Sequence, residues 1–162
     1  MISDAIEGAY ALFKADPRLN NDIGTNTKVL FFSKTVEDEP TCYPFITFSI
    51  DPITEVKVVS LGKKNQRNTP LKILCGISDY NDVWDAQLEI DALIKNIEAI
   101  LMENPKLDGK VYTSQVIQET YGYILDNDGN PFAKVCEITL QVSELFNTNL
   151  CWEERNYKYI LK

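Results

Sequence analysis

Three cations fall within five residues at Lys63, Lys64 and Arg67. Such a cluster concentrates positive potential within about a Debye length and could hold a phosphate group. The same run at a hairpin tip would also serve to keep an edge strand soluble, or to dock another protein, and the solvated tip is the simpler reading. Carboxylates gather at Glu37, Asp38 and Glu39 and again at Asp79, Asp82 and Asp85. An acid/base pair needs one carboxyl raised by an apolar pocket or a like charge, and nothing in the spacing brings two of these together, so they read as solvated acids and helix-start charges. Asp126, Asp128, Asn130 and Glu137 occupy positions 1, 3, 5 and 12 of a calcium loop. The sixth position of such a loop needs glycine, but here it is Pro131, and both flanks read as strands; a β-hairpin turn accounts for these residues better.

The chain contains no histidine, which excludes Ser-His-Asp and Cys-His catalysis, a histidine base near neutral pH, and histidine-held zinc or haem. Its four cysteines, Cys42, Cys75, Cys136 and Cys151, form no C-x-x-C pair. Cys75 and Cys136 sit in apolar alternation, where a thiol behaves as a small hydrophobe, and all four are expected to be reduced. No metal or cofactor is expected. With 16 basic and 24 acidic residues the net charge is −8, which repels nucleic-acid backbones over most of the surface. A chain of 162 residues, 44% hydrophobic and 25% charged, is long enough for one well-packed domain. Met1 to Ala15 is too polar for a signal peptide, and no apolar run reaches the ~18 residues that a membrane span requires.

The elements that must position these residues follow from hydrophobic period. Ile2, Ile6, Ala9, Tyr10, Leu12 and Phe13 recur at helical spacing, and Asp16 and Pro17 end that helix. Arg18 to Thr27 is a loop by composition. Val29 to Ser33 is a short strand, Val36 to Thr41 an acidic connection, and Phe45 to Ile50 a strand with Ile46, Phe48 and Ile50 on one face. Asp51 and Pro52 mark a turn or bulge before a strand from Ile53 to Leu61; Gly62 to Pro70 reads as a basic polar loop, and Leu71, Ile73, Cys75 and Ile77 alternate in the next strand. Together these predict an antiparallel meander with one buried face. Asp82 to Glu103 is an amphipathic helix with Asn81 as its cap and a stripe of Val83, Ala86, Ile90, Leu93, Ile94, Ile97, Ile100 and Leu101. At ~30 Å it would reach across the sheet. Val111 to Leu125 and Phe132 to Leu145 form the hairpin, with Tyr112, Tyr121 and Tyr123 available for cross-strand aromatic packing. The predicted fold is therefore α+β: an antiparallel or mixed β-sheet packed against a long amphipathic helix, plus an N-terminal helix and a β-hairpin. Residues 1–145 form one domain, and 146–162 form a C-terminal extension whose Trp152, Tyr157 and Tyr159 suit a partner surface.

Three segments, "YPFITFSI" at Tyr43 to Ile50, "PLKILCGIS" at Pro70 to Ser78 and "AILMENPKLDGKV" at Ala99 to Val111, together with this element order, resemble the tail terminator proteins of long-tailed bacteriophages and related tail-completion and neck components. The resemblance spans Met1 to about Leu145; the extension from Phe146 departs from it. It implies a non-enzymatic virion protein, assembled in the host cytoplasm, that forms a homohexameric ring on the finished tail tube. Such a ring ends tube growth and meets sheath subunits and the head connector, while DNA passes through its lumen without specific binding and no membrane is involved. Sheet edges and loops would mediate subunit contacts, with Lys63, Lys64, Arg67, Trp152, Tyr157 and Tyr159 as the candidate interaction residues. Six copies at −8 each would repel DNA in the lumen. The alternatives are a neck or head-completion protein of the same assembly, or a small non-viral module that binds a ligand through a pocket of converging polar groups or regulates a partner as a monomer or dimer.

Overall fold

The long helix organises the chain. In the computed structural model, which describes residues 2–20, 31–33, 43–49, 57–62 and 64–147, a helix runs over Val83–Glu103. We call it α3, after α1 (Ile2–Ala15) and α2 (Pro17–Asn20). Its N-cap is Asp82, one residue later than the predicted Asn81: the Asp82 carboxylate accepts the Asp85 N–H at 2.8 Å. Ala86, Ile90, Leu93, Ile94, Ile97, Ile100 and Leu101 are buried as the period requires. Val83, expected in that stripe, is exposed beside Trp84 because the first turn lies beyond the buried stretch that starts at Ala86. The Asn104 side chain and backbone both donate to carbonyls of the last turn, and Pro105 bars another turn.

After Pro105 the chain reverses through left-handed backbone at Leu107, Asp108 and Gly109. Left-handed geometry costs a residue with a Cβ roughly 1–2 kcal/mol. Complete burial of the Leu107 side chain, worth roughly 1.5–3 kcal/mol, offsets that cost. The turn abuts α1 at Gly8, where a Cβ would run into the Leu107 carbonyl. A second link joins these regions. Arg18 lies in a single helical turn, not in the loop expected from its polar neighbours, because Pro17 suits a first helical position and the Asp16 carboxylate accepts the Arg18 N–H at 2.9 Å. From there its guanidinium pairs with Asp16 at 2.8 Å and with Glu103, at the end of α3, at 2.7 Å.

The strands are β1 (Phe31–Ser33), β2 (Phe45–Ser49), β3 (Lys57–Leu61), β4 (Lys64–Ser78), β5 (Thr113–Leu125) and β6 (Pro131–Asn147). They form one six-stranded sheet in the order β1-β2-β4-β6-β5, with β3 pairing the first part of β4 on the side where β2 pairs the last part. All pairings are antiparallel except β1 with β2, which is parallel, so the sheet is mixed and the expected simple meander is corrected at its first strand. β4 is longer than predicted. Residues 64–70, read as a loop, are strand: 64–68 pair with both β3 and β6, and Thr69 and Pro70 pair with β6; their side chains are polar on both faces of the sheet and do not reveal the ladder partners of the backbone. Pro70 falls in the gap between the β2 and β3 pairings, a place where a strand tolerates a residue without an N–H.

Ile46, Phe48, Leu71, Ile73, Cys75, Ile77, Cys136, Ile138, Leu140 and Val142 point to the face that α1 and α3 cover, giving a two-layer α+β domain. Phe45, expected on the polar side of its strand, is buried on the opposite face, where its ring occupies the space beside Gly76 and meets Tyr43 edge-on at 5.3 Å between ring centres. Elsewhere that face is mixed, with Leu74 and Val135 near Phe45 and a polar group farther along, where Ser143 and Gln66 both donate to the Asn68 side-chain amide oxygen at 2.7 and 2.8 Å. β6 extends through Asn147, so the first two residues of the predicted C-terminal extension belong to the sheet. The acidic connection at 36–41, the turn at Asp51 and Pro52, and residues 148–162 lie outside the described residues. Among the described residues no helix is long and apolar enough to cross a membrane.

Candidate functional site

Of the predicted interaction residues the structure describes Lys64 and Arg67, and these two do not converge. Lys63, Trp152, Tyr157 and Tyr159 lie outside the described residues. Lys64 and Arg67 sit on β4, three residues apart in a strand, so their side chains leave opposite faces of the sheet. Lys64 is exposed opposite Leu61. Arg67 is half-buried, and its guanidinium lies 5.1 Å from the centre of the Phe146 ring, a cation–π placement. Two cations on opposite faces cannot grip one phosphate, so that option is withdrawn for this pair.

The hairpin between β5 and β6 is built as a turn and not as an ion loop. One Asp126 carboxylate oxygen accepts the N–H groups of Asp128 and Asn130, each at 2.9 Å, and the Asp126 N–H donates to the Asn130 carbonyl at 2.8 Å. Tyr121 and Tyr123 pack against a cation, not against other aromatic rings: the Lys134 ammonium lies 4.3 Å from the Tyr123 ring centre and 5.6 Å from that of Tyr121. Tyr112 precedes the strand and is exposed. Cys75 and Cys136 stand directly opposite each other in the β4–β6 ladder, both fully buried and both free thiols. The Cys75 thiol donates to the Cys136 carbonyl at 3.4 Å, and its hydrogen bonding to Cys136 together with burial raises its pKa well above that of an ordinary thiol.

One convergence of polar groups went unread in the sequence. Where α3 passes over β5, Asp91, Lys95 and Glu98 from the helix meet Glu119 and Tyr121 from the strand around an open groove of about 400 Å³, with Met102 at one end. Burial and the neighbouring Glu119 carboxylate push the Glu98 pKa up to about 7. One Glu98 oxygen, Oε1, is enclosed without a hydrogen-bond partner. Two ionised carboxylates can only accept, so a proton on Glu98 is what supplies a bond to Glu119. The Tyr121 hydroxyl reaches Glu119 at 3.2 Å and Asp91 at 3.4 Å, and burial and then the Glu119 charge hold its pKa above the ordinary phenol value. The missed signal was parity: Glu119 shares its strand face with Tyr121 and Tyr123, the face that the helix covers, and an acid there must meet whatever the helix presents. No group of three or more metal-ligating side chains is arranged to hold an ion among the described residues.

The sheet also ends in long apolar margins. β3 exposes Val58, Val59 and Leu61, and β5 exposes Ile117, Tyr121, Tyr123 and Leu125; among the described residues neither strand has a partner on its outer side. No protein-family model matches the chain, and no curated protein is detectably related to it in sequence.

Proposed function

We propose that this chain is a structural virion protein that caps a bacteriophage tail tube: a tail terminator that ends tube polymerisation and forms the interface for joining the head. The observation that carries the reading is that the three segments bearing the resemblance form one connected unit. Tyr43 to Ile50 contains β2, Pro70 to Ser78 lies in β4, and Phe45 to Ser49 pair in register with Gly76 to Lys72. Ala99 to Val111 is the α3 exit whose Leu107 is buried against α1 and whose left-handed turn leads into β5. A terminator must occupy a growing end without offering a copy of the surface it covers, and a ring of heterologous contacts closed by symmetry does this. The protein acts by shape and self-association and carries out no chemistry; its site of action is the tail or neck of the virion.

The test is co-expression with the tail-tube subunit encoded in the same genome, followed by electron microscopy. Tubes of defined length bearing a ring at one end are expected. Tubes that grow unchecked while the chain stays in the supernatant would defeat the proposal. A neck or head-completion role in the same assembly would instead give rings on the connector and bare tubes. The groove holding Glu98 and Glu119 favours a second reading, a small-ligand module, because it gathers polar groups beside apolar wall. A ligand that raises the melting temperature of the wild type and not of Glu119→Gln would support it.

A further inference from the structure

We propose that copies of this chain associate head to tail through their strand edges, the outer edge of β3 in one copy docking on the outer edge of β5 in the next. The inference rests on the ring-forming reading above and names the surfaces that would close the ring.

Strand direction permits it. β3 and β6 are each antiparallel to β4, and β5 is antiparallel to β6, so β3 and β5 run in opposite directions within one sheet. Placed side by side without turning the sheet over, the β3 of one copy and the β5 of its neighbour form an antiparallel pair, and the sheet continues across the boundary. Lengths agree as well. A bulge at Ile117 interrupts β5, but Gln118 to Ile124 run in unbroken register with β6, a stretch longer than the five residues of β3. Both margins expose apolar side chains at or beside the stretches that would pair: Val58 (55%), Val59 (47%) and Leu61 (53%) on one, and Tyr121 (41%) and Tyr123 (37%), flanked by Ile117 and Leu125, on the other.

Charge selects this arrangement over β5 pairing with β5. Residues 57–64, the β3 strand and its passage into β4, carry three basic side chains, Lys57, Lys63 and Lys64, and no acidic one. α3 and β5 together carry six acidic residues against the single basic Lys95. Of these, Asp91 and Glu119 stand where the helix meets β5. Two β5 edges would bring like charges together, whereas β3 against β5 brings opposite ones. Opposed, unlike surfaces on one molecule make a heterologous contact, which closes into a ring or runs on as a filament.

Light scattering on the purified full chain at about 50 mM salt tests the inference. The wild type is expected above the 18.5 kDa monomer mass, and ~500 mM salt is expected to lower the associated fraction. Lys57→Glu with Lys64→Glu, and separately Ile117→Lys with Glu119→Lys, should each give monomers; mixing the two variants should restore association, since each remaining or reversed edge again meets its opposite charge. Far-UV circular dichroism checks that both are folded. Glu119→Lys alone, which places a cation beside Glu98, serves as the second variant and should weaken association at least tenfold. A wild type that stays monomeric at ~100 μM overturns the inference, and so does a β3 variant that remains a dimer, the outcome of β5–β5 pairing. Rings that assemble but never bind tail tubes would defeat the terminator reading and leave this one standing. Tube capping that survives both charge variants would do the reverse.

Discussion

Replacing Glu98 by glutamine should stabilise the protein at alkaline pH and do little at acid pH. Glu98 has a folded-state pKa of about 7 against an ordinary 4.5, because of burial and the Glu119 carboxylate. Below 4.5 the side chain is neutral in both folded and unfolded chains, and Glu98 exacts no penalty. Between 4.5 and 7 the unfolded chain ionises while the folded one holds its proton, so folding stability falls as pH rises. Above 7 both states are ionised and the loss is complete. The full linkage for that shift would be about 3 kcal/mol; Glu98 is partly open to solvent, and screening reduces this to roughly 1–2 kcal/mol. A glutamine side chain would keep the shape, remove the titration and offer an N–H₂ group to Glu119. At pH 8 the E98Q variant should therefore gain roughly 1–2 kcal/mol over the wild type, or about 2–8 °C in Tm for a domain of this size, and the gain should vanish near pH 4.5. Urea unfolding of both proteins at half-unit steps between pH 4.5 and 8.5 measures the difference and cancels every other titrating group. A difference that stays flat across that range, or a variant less stable at pH 8, would refute the account of the Glu98–Glu119 pair.

Three further outcomes follow from the packing. Gly8→Val should destabilise by about 1–3 kcal/mol in urea unfolding, because the side chain must displace the Leu107 carbonyl or lift α1 from the turn; an unchanged midpoint would show that α1 does not dock there. Asp82→Ala should cost about 0.5–2 kcal/mol by removing the N-cap of α3, whereas Asp82→Asn should cost less than half as much. Cys75 and Cys136 should resist alkylation at pH 8 in the native protein and react once it is unfolded, as peptide mapping by mass spectrometry would record; rapid labelling of Cys75 in the native state would contradict its burial and raised pKa.

The sequence reading succeeded where one side-chain pattern carried the whole signal. α3 buries one apolar stripe at a period of 3.6 and β6 sets Cys136, Ile138, Leu140 and Val142 on one face at a period of 2, and their placement matches the prediction to within a residue or two at most ends. It failed at residues 64–70 for a definite reason. Asn65, Gln66, Arg67 and Asn68 have loop composition, yet they are held by backbone bonds to strands on both sides, and backbone pairing leaves no trace in side-chain type. The parallel pairing of β1 with β2 was equally invisible, since nothing local distinguishes a parallel neighbour from an antiparallel one. For the candidate site, the acids singled out were close in sequence, whereas Glu98 and Glu119 come from a helix and a strand and meet only because α3 crosses β5. The cations Lys64 and Arg67 were close in sequence and are parted by the pleat.

The central place of β4 also governs when the sheet can be completed. Its longest pairing joins Lys64–Ser78 to strand Pro131–Asn147, a partner made last among the described strands. On a ribosome adding ~5–20 residues per second, the apolar stripe of α3 is complete roughly 2–9 s before Asn147 is added, and for that interval half of its cover does not exist. β5 is an edge only after β6 has zipped against β4, so the nascent chain cannot present both ends of its sheet to a neighbour before its own fold is finished. Until then the apolar stripe of α3 and the β6-facing edge of β4 are what an unfinished copy leaves uncovered.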